Sequence, residues 1–188
     1  MMSWFHPGTR SGNARNHASP ADIVACFRFE EGLLHKLAFL ITADQSTAKE
    51  AVATACQITL RGDTPFCDWL LEWAKVVTIT TAISLHREAI RACEPLYKGR
   101  QCPHVEHSSQ FDDDRREARL ALLLQMDAQQ IFTELDRLCR AILVLRVASR
   151  SSIQDCSLRL NVSRAAVLVA NCHAMTWLDH SRITAASE

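Results

Sequence analysis

Glycine and proline are scarce, five of each in 188 residues, so few positions interrupt a helical pattern. Long apolar runs are missing: stretches such as Leu120 to Leu124 fall far short of the ~20 residues that cross a bilayer. No transmembrane helix and no membrane association are expected. Net charge is missing as well, since Lys plus Arg equals Asp plus Glu at 21. No overall positive field draws in nucleic acid, and any DNA binding must come from local patches. Residues 1–19 lack the apolar stretch of a secretory signal and read as a disordered arm. A cytoplasmic location is the expectation.

Cysteine is plentiful but lacks a pattern. The eight cysteines stand at 26, 56, 67, 93, 102, 139, 156 and 172, with no CxxC and no clustered framework. Most occupy apolar positions of helical patterns, where a thiol behaves as a small hydrophobe, so reduced thiols are expected. Cys93, Cys102, His104 and His107 are zinc-donor types, but their spacing fits no common finger, and no metal is expected. A glycine-rich phosphate loop is absent. Glu30 and Glu31 sit on a solvated helix edge, and Ser84 and His86 are too close in sequence to read as nucleophile and base. No catalysis, cofactor or small-molecule substrate is expected.

What remains is helix. Ser19, Pro20 and Asp22 approximate a capping box with proline at the first helical position. Val24, Phe27, Leu34, Leu37, Phe39, Leu40 and Ile41 then keep one face apolar to about Thr42, weakly interrupted by Gly32. Asp44 or Ser46 caps a second helix with a small-residue face (Ala48, Ala51, Val52, Ala55, Cys56), which Arg61 and Gly62 end. Thr64 and Pro65 open a third, carrying Trp69, Trp73, Val76, Val77, Thr80 and Ile83. Periodicity fails from Cys93 to about Gln110, where Pro95, Gly99 and Pro103 intervene. Asp112 to Asp114 favour a new helix start, with Leu120, Leu123 and Leu124 following. A further helical stretch runs from Ile131 with Leu135, Leu138, Ile142, Leu143 and Leu145. The fold class is all-α: two small helical domains joined by a linker, with bounds 20–92, 93–112 and 113–180 and a tail 181–188.

Ser152 to Leu178 reads as a helix-turn-helix. Asn161 tolerates the left-handed conformation, Ser157 is small where the helices cross, and Ser163 caps the second helix. At this point a family resemblance emerges. Leu135 to Arg146, followed by this hairpin, resembles region four of the extracytoplasmic-function sigma factors of RNA polymerase. Asn161-Val162-Ser163 stands where that family has glycine, an aliphatic residue and serine. Leu40-Ile41-Thr42-Ala43-Asp44 and Ala48-Lys49-Glu50-Ala51-Val52 resemble the leucine-threonine-glycine-aspartate and alanine-acid-acid patterns of region two. Phe66 to Trp69 and Ala74-Lys75 resemble its phenylalanine-x-x-tryptophan helix. Order and spacing match over roughly residues 21 to 180.

The resemblance implies a sigma factor acting in transcription initiation, with RNA polymerase core, promoter DNA and an anti-sigma protein as partners. It assigns DNA reading to Arg159, Ser163, Arg164, Ala165, Leu168, Asn171 and His173. Promoter melting falls to Trp69, Trp73, Lys75, His86 and Arg87, and polymerase binding to Asp44, Lys49, Glu50, Ala53, Thr54 and Gln57. Trp69 and Trp73 are one turn apart, a spacing that stacks unpaired bases; lying in an apolar stripe, they are expected first as core anchors. The chain departs from the family in charge. From Ser163 to Leu178 the only basic residues are Arg164 and His173, and each lost phosphate contact weakens DNA affinity. The glutamine-glutamate pair of the family maps to Ala53 and Thr54. The asparagine, aspartate and arginine of its melting helix map to Val76, Thr80 and Ile83. These departures leave an alternative: a sigma-like helical protein acting through protein–protein interaction, with weak or no DNA binding.

Overall fold

A computed structural model describes residues 16–102 and 113–185. Among them the secondary structure is helical, apart from an isolated bridge between His17 and Phe66, so the chain is all-α. The helices are α1 (Pro20–Phe29), α2 (Glu31–Thr42), α3 (Gln45–Arg61), α4 (Leu70–Arg91), α5 (Asp113–Gln125), α6 (Ala128–Glu134), α7 (Arg137–Ala148), α8 (Ile153–Leu160) and α9 (Arg164–Ala185). Short 3-10 turns, Cys67–Trp69 and Glu94–Tyr97, precede and follow α4.

The caps follow the chemistry of the sequence. Ser19 and Asp22 form a full capping box on α1. Asp44 caps α3, accepting from the Thr47 N–H at 2.7 Å, which decides between it and Ser46, and Gly62 ends that helix. Three boundaries differ from expectation. The first apolar stripe breaks at Glu30 (φ −97°, ψ 14°) into α1 and α2. Pro65 does not open α4, because 64–67 are occupied in pairing with the N-terminal segment: Ala18 N–H donates to Pro65 O at 2.8 Å and Cys67 N–H to Asn16 O at 3.0 Å. The stretch from Ile131 divides at Leu135, where Asp136 caps a separate α7.

Two apolar clusters hold these elements. A smaller one joins Ala18, Ile23, Phe27, Leu34, Ala55, Leu70 and Ala74. The larger is continuous from Leu37 of α2 through Ile79 and Ile83 of α4 to Leu178 of α9. Its axis is α7, buried at every position from Leu138 to Ala148 and packed against α2, α4, α5, α8 and α9. A helix so apolar all round has to lie inside other helices. Two of its three arginines are buried with it: the Arg140 guanidinium stacks 4.6 Å from the Phe132 ring centroid, and Arg146 Nη1 donates to Ser151 O at 3.0 Å.

Of the non-glycine residues with positive φ, Ala43 (55°) closes α2 and Asn161 (53°) closes α8. A Cβ in this region is opposed by the following carbonyl, at about 1–2 kcal/mol. Asn relieves part of that strain locally and Ala does not. Ala43→Gly should therefore raise unfolding free energy by about 0.5–1 kcal/mol, net of the extra unfolded-chain freedom of glycine. Asn161→Gly should change it by less than half as much. Urea titration of the two variants checks the difference.

Candidate nucleic-acid interface

The segment from Ser152 to α9 is built locally. Ser152 and Asp155 form a reciprocal capping box on α8. The Ser152 hydroxyl and N–H together hold the Asp155 carboxyl below the usual aspartate range. Asn161 turns the chain in the left-handed region, and Ser157 Oγ ties the turn down by donating to Val162 O at 2.7 Å. Ser163 Oγ then accepts from the Ala166 N–H at 3.3 Å at the start of α9. α9 runs on to Ala185, past Leu178 and into the stretch expected as a tail; residues 186–188 lie outside the described residues.

On α9 the expected DNA-reading residues divide. Arg164 and Ala165 are exposed and Leu168 is half-buried. Asn171 is corrected: it is 1% exposed, facing inward with Ala170 and Ala174, because that face of α9 packs on α7. His173 is at the surface with Nδ1 3.5 Å from the buried Cys139 Sγ. The Ser163 N–H, the donor that a phosphate would use, is already taken by Glu94 Oε1 at 2.7 Å. That bond, followed by the Ser163 hydroxyl, holds the Glu94 carboxyl low and therefore ionised. The positive end of the α9 dipole thus faces a carboxylate of the same chain.

α4 and the 3-10 turn before it carry the expected melting residues. Trp69 and Trp73 are not core anchors: they are 61% and 43% exposed, since the buried side of α4 is filled by Leu70, Ala74, Thr78 and Ile79. Lys75 is corrected, being buried and paired with Glu72 on its own helix. His86 is half-buried; burial first, then the nearby charges of Arg137 and Arg140, holds its imidazole below the usual range against the pull of Asp44. It is neutral near pH 7 and a weak phosphate contact. Arg87 is exposed and donates to Ser84 Oγ at 3.2 Å.

The two sets of residues meet. Arg87, Thr80 and Ile83 of α4 and Leu158, Arg159 and Asn161 of the α8 turn line one cleft of about 290 Å³. Arg159 Nη1 donates to Thr80 Oγ1 at 2.9 Å. Neither arginine forms an ion pair among the described residues. Nothing in the sequence showed that Thr80 and Arg159, 79 residues apart, would share this cleft.

The expected polymerase-binding residues gather on α3. Lys49, Glu50, Ala53 and Gln57 are exposed and Thr54 is half-buried. Lys49 and Ala53 also line a groove of about 250 Å³ with Phe27, Arg28 and His35. Asp44 stands at the same end, its carboxyl held low by the N–H and hydroxyl of Thr47 that it caps.

The expected linker is structured over its described part. Residues 93–102 form the 3-10 turn and a following segment against α9. The expectation of reduced thiols is overturned at one pair, because Cys102 and Cys172 form a disulfide with Cα atoms 6.0 Å apart, within the span such a bond bridges. Cys139 and Cys156 are buried, and burial pushes each thiol up to about 12. The zinc-type donor set is dispersed accordingly: Cys102 is spent on the disulfide, the Cys93 thiol donates to Ala89 O at 3.6 Å, and His104 and His107 lie outside the described residues, as do most of the arm (1–15) and Asp112.

Among the described residues no helix is long and apolar enough to cross a membrane. No family model, no curated protein and no solved structure matches the chain.

Proposed function

We propose that the chain is a sigma-factor-like transcription initiation protein that binds RNA polymerase core and promoter DNA, α8 and α9 serving as its helix-turn-helix. The observation that carries this reading is in the backbone. The resemblance aligns Ala43 and Asn161 with family glycines, and both adopt the left-handed conformation that glycine serves. The coincidence supports a shared backbone at two turns more than a hundred residues apart. The Arg87–Arg159 cleft supports the same reading, because two guanidinium groups that form no ion pair among the described residues, each bonded only to a hydroxyl, offer phosphate contacts that the start of α9 lacks. Arg164 adds a third cation nearby in sequence.

A second reading, protein–protein interaction with weak or no DNA binding, is favoured by the Glu94 carboxylate on the Ser163 N–H and by the burial of Asn171. Reconstitution with RNA polymerase core separates the two. The first reading expects a promoter-dependent transcript, and expects Arg87→Ala and Arg159→Ala each to reduce the salt slope of DNA binding by about 1. Absence of association with core leaves only the second.

A further inference from the structure

The segment from Glu94 to Cys102 lies along α9 in the direction of that helix and is fastened at three levels. At the start of α9, Glu94 Oε1 accepts from the Ser163 N–H at 2.7 Å. In the middle, the buried Tyr97 hydroxyl donates to Asp136 Oδ2 and meets Cys139 Sγ at 2.9 Å. Cys139 Sγ in turn reaches Ala170 O of α9 at 3.4 Å. At the far end the Cys102–Cys172 disulfide joins strap to helix. From Ser163 to Cys172 is about 13 Å of helix, a distance that eight residues of strap cover with ease.

We propose that Cys102 and Cys172 are a thiol–disulfide switch that pins this strap on α9 when oxidised and releases it when reduced. Cys102 and Cys172 are both half-buried, whereas Cys139 and Cys156 are sealed in the core with thiols that resist ionisation. The reductant is a dithiol. One of its thiolates attacks a sulfur of the bond and forms a mixed disulfide, and the other cysteine leaves as thiolate and takes a proton. The second thiol of the donor then displaces the mixed disulfide, so two electrons and two protons end on Cys102 and Cys172 and the donor becomes a disulfide. With its far end free, the hydrogen bonds that tie the strap down among the described residues are those of Tyr97 and the exposed Glu94. The Glu94 carboxylate can then leave the Ser163 N–H, opening the end of α9 to an anion. The effect on DNA rests on the proposed function; the switch does not.

The test uses the full chain in a Cys67→Ser background, which removes the exposed thiol as an exchange partner. Oxidised protein, alkylated after denaturation, should show five free thiols and a Cys102–Cys172 cross-linked peptide, and dithiothreitol should raise the count to seven. Amide hydrogen exchange over residues 94–101 and 163–167 should speed up at least tenfold on reduction. Adding Cys102→Ser and Cys172→Ser together should give the fast exchange in either redox state. Seven alkylated thiols in the oxidised protein, or exchange unchanged by reduction, overturns the switch. Faster exchange with no gain in affinity for promoter DNA upholds the switch and counts against the transcriptional reading alone.

Discussion

Replacing Ile142 by alanine should lower unfolding free energy by about 2–5 kcal/mol, and the loss should register equally at both ends of the chain. Ile142 is fully buried near the middle of α7, the helix on which α2 and α4 from the first half and α8 and α9 from the second all pack. Removing its outer carbons leaves a cavity that neighbours on every side would have to fill, and a helix enclosed by five others has little room to shift. Against a typical stability of about 5–15 kcal/mol, such a loss is large. The measurement is native-state amide exchange at the slowest amides of α3 and of α9. One shared core requires the same decrease in both. A decrease confined to α9 would mean that the halves unfold separately and that their contact is a docking interface.

That continuity was the least legible part of the fold. Local chemistry announced itself well: Ser19, Asp44, Asn161 and Ser163 each act where their side chains dictate. These signals need only three or four neighbouring residues. The break at Glu30 gave no such signal, because backbone bonds continue on either side of it, from the Glu30 N–H to Cys26 O and from the Leu34 N–H to Glu30 O. Pro65 gave a false one, since the partner that keeps it out of α4 is a segment 47 residues earlier. In α7 a stripe was visible where the whole circumference is buried. Arg140 and Arg146 stand outside that stripe, yet one stacks on Phe132 and the other bonds to Ser151.

The candidate site was misread for the same reason. Trp69 and Trp73 share a helical spacing with Val76, but burial on α4 is set by which side meets α2 and α3. On α9, the inward turn of Asn171 depends on the packing of α7 and not on the residues beside it. The Arg87–Arg159 cleft, Glu94 on Ser163 and the disulfide 70 residues apart are all products of tertiary packing. Together they describe a closed arrangement in which the single carboxylate of the strap, Glu94, and no basic side chain meets the N-terminal end of α9. The poverty of basic residues on that helix therefore acts in the same direction as its geometry.

Asp136→Ala should be the most damaging single change at a polar side chain, lowering unfolding free energy by about 2–4 kcal/mol. One oxygen of Asp136 caps α7, accepting from the N–H groups of Leu138 at 2.8 Å and Cys139 at 3.0 Å. The other accepts from the buried Tyr97 hydroxyl. Truncation removes the cap and also leaves a phenol inside the protein without its carboxylate acceptor. Tyr97→Phe should cost only about 1 kcal/mol, because Asp136 keeps its two backbone donors and is half-buried, so water can meet its free oxygen. The pair also fixes an alkaline signature. Burial, then the bond to Asp136, raises the Tyr97 hydroxyl above its ordinary value of 10.0. The folded state therefore keeps a proton that the unfolded chain releases, and this contribution is complete below pH 10 and declines as pH rises further. Urea titrations of wild type and Tyr97→Phe at pH 8 and above pH 10 should converge with rising pH; parallel curves would show that the phenol ionises as readily folded as unfolded.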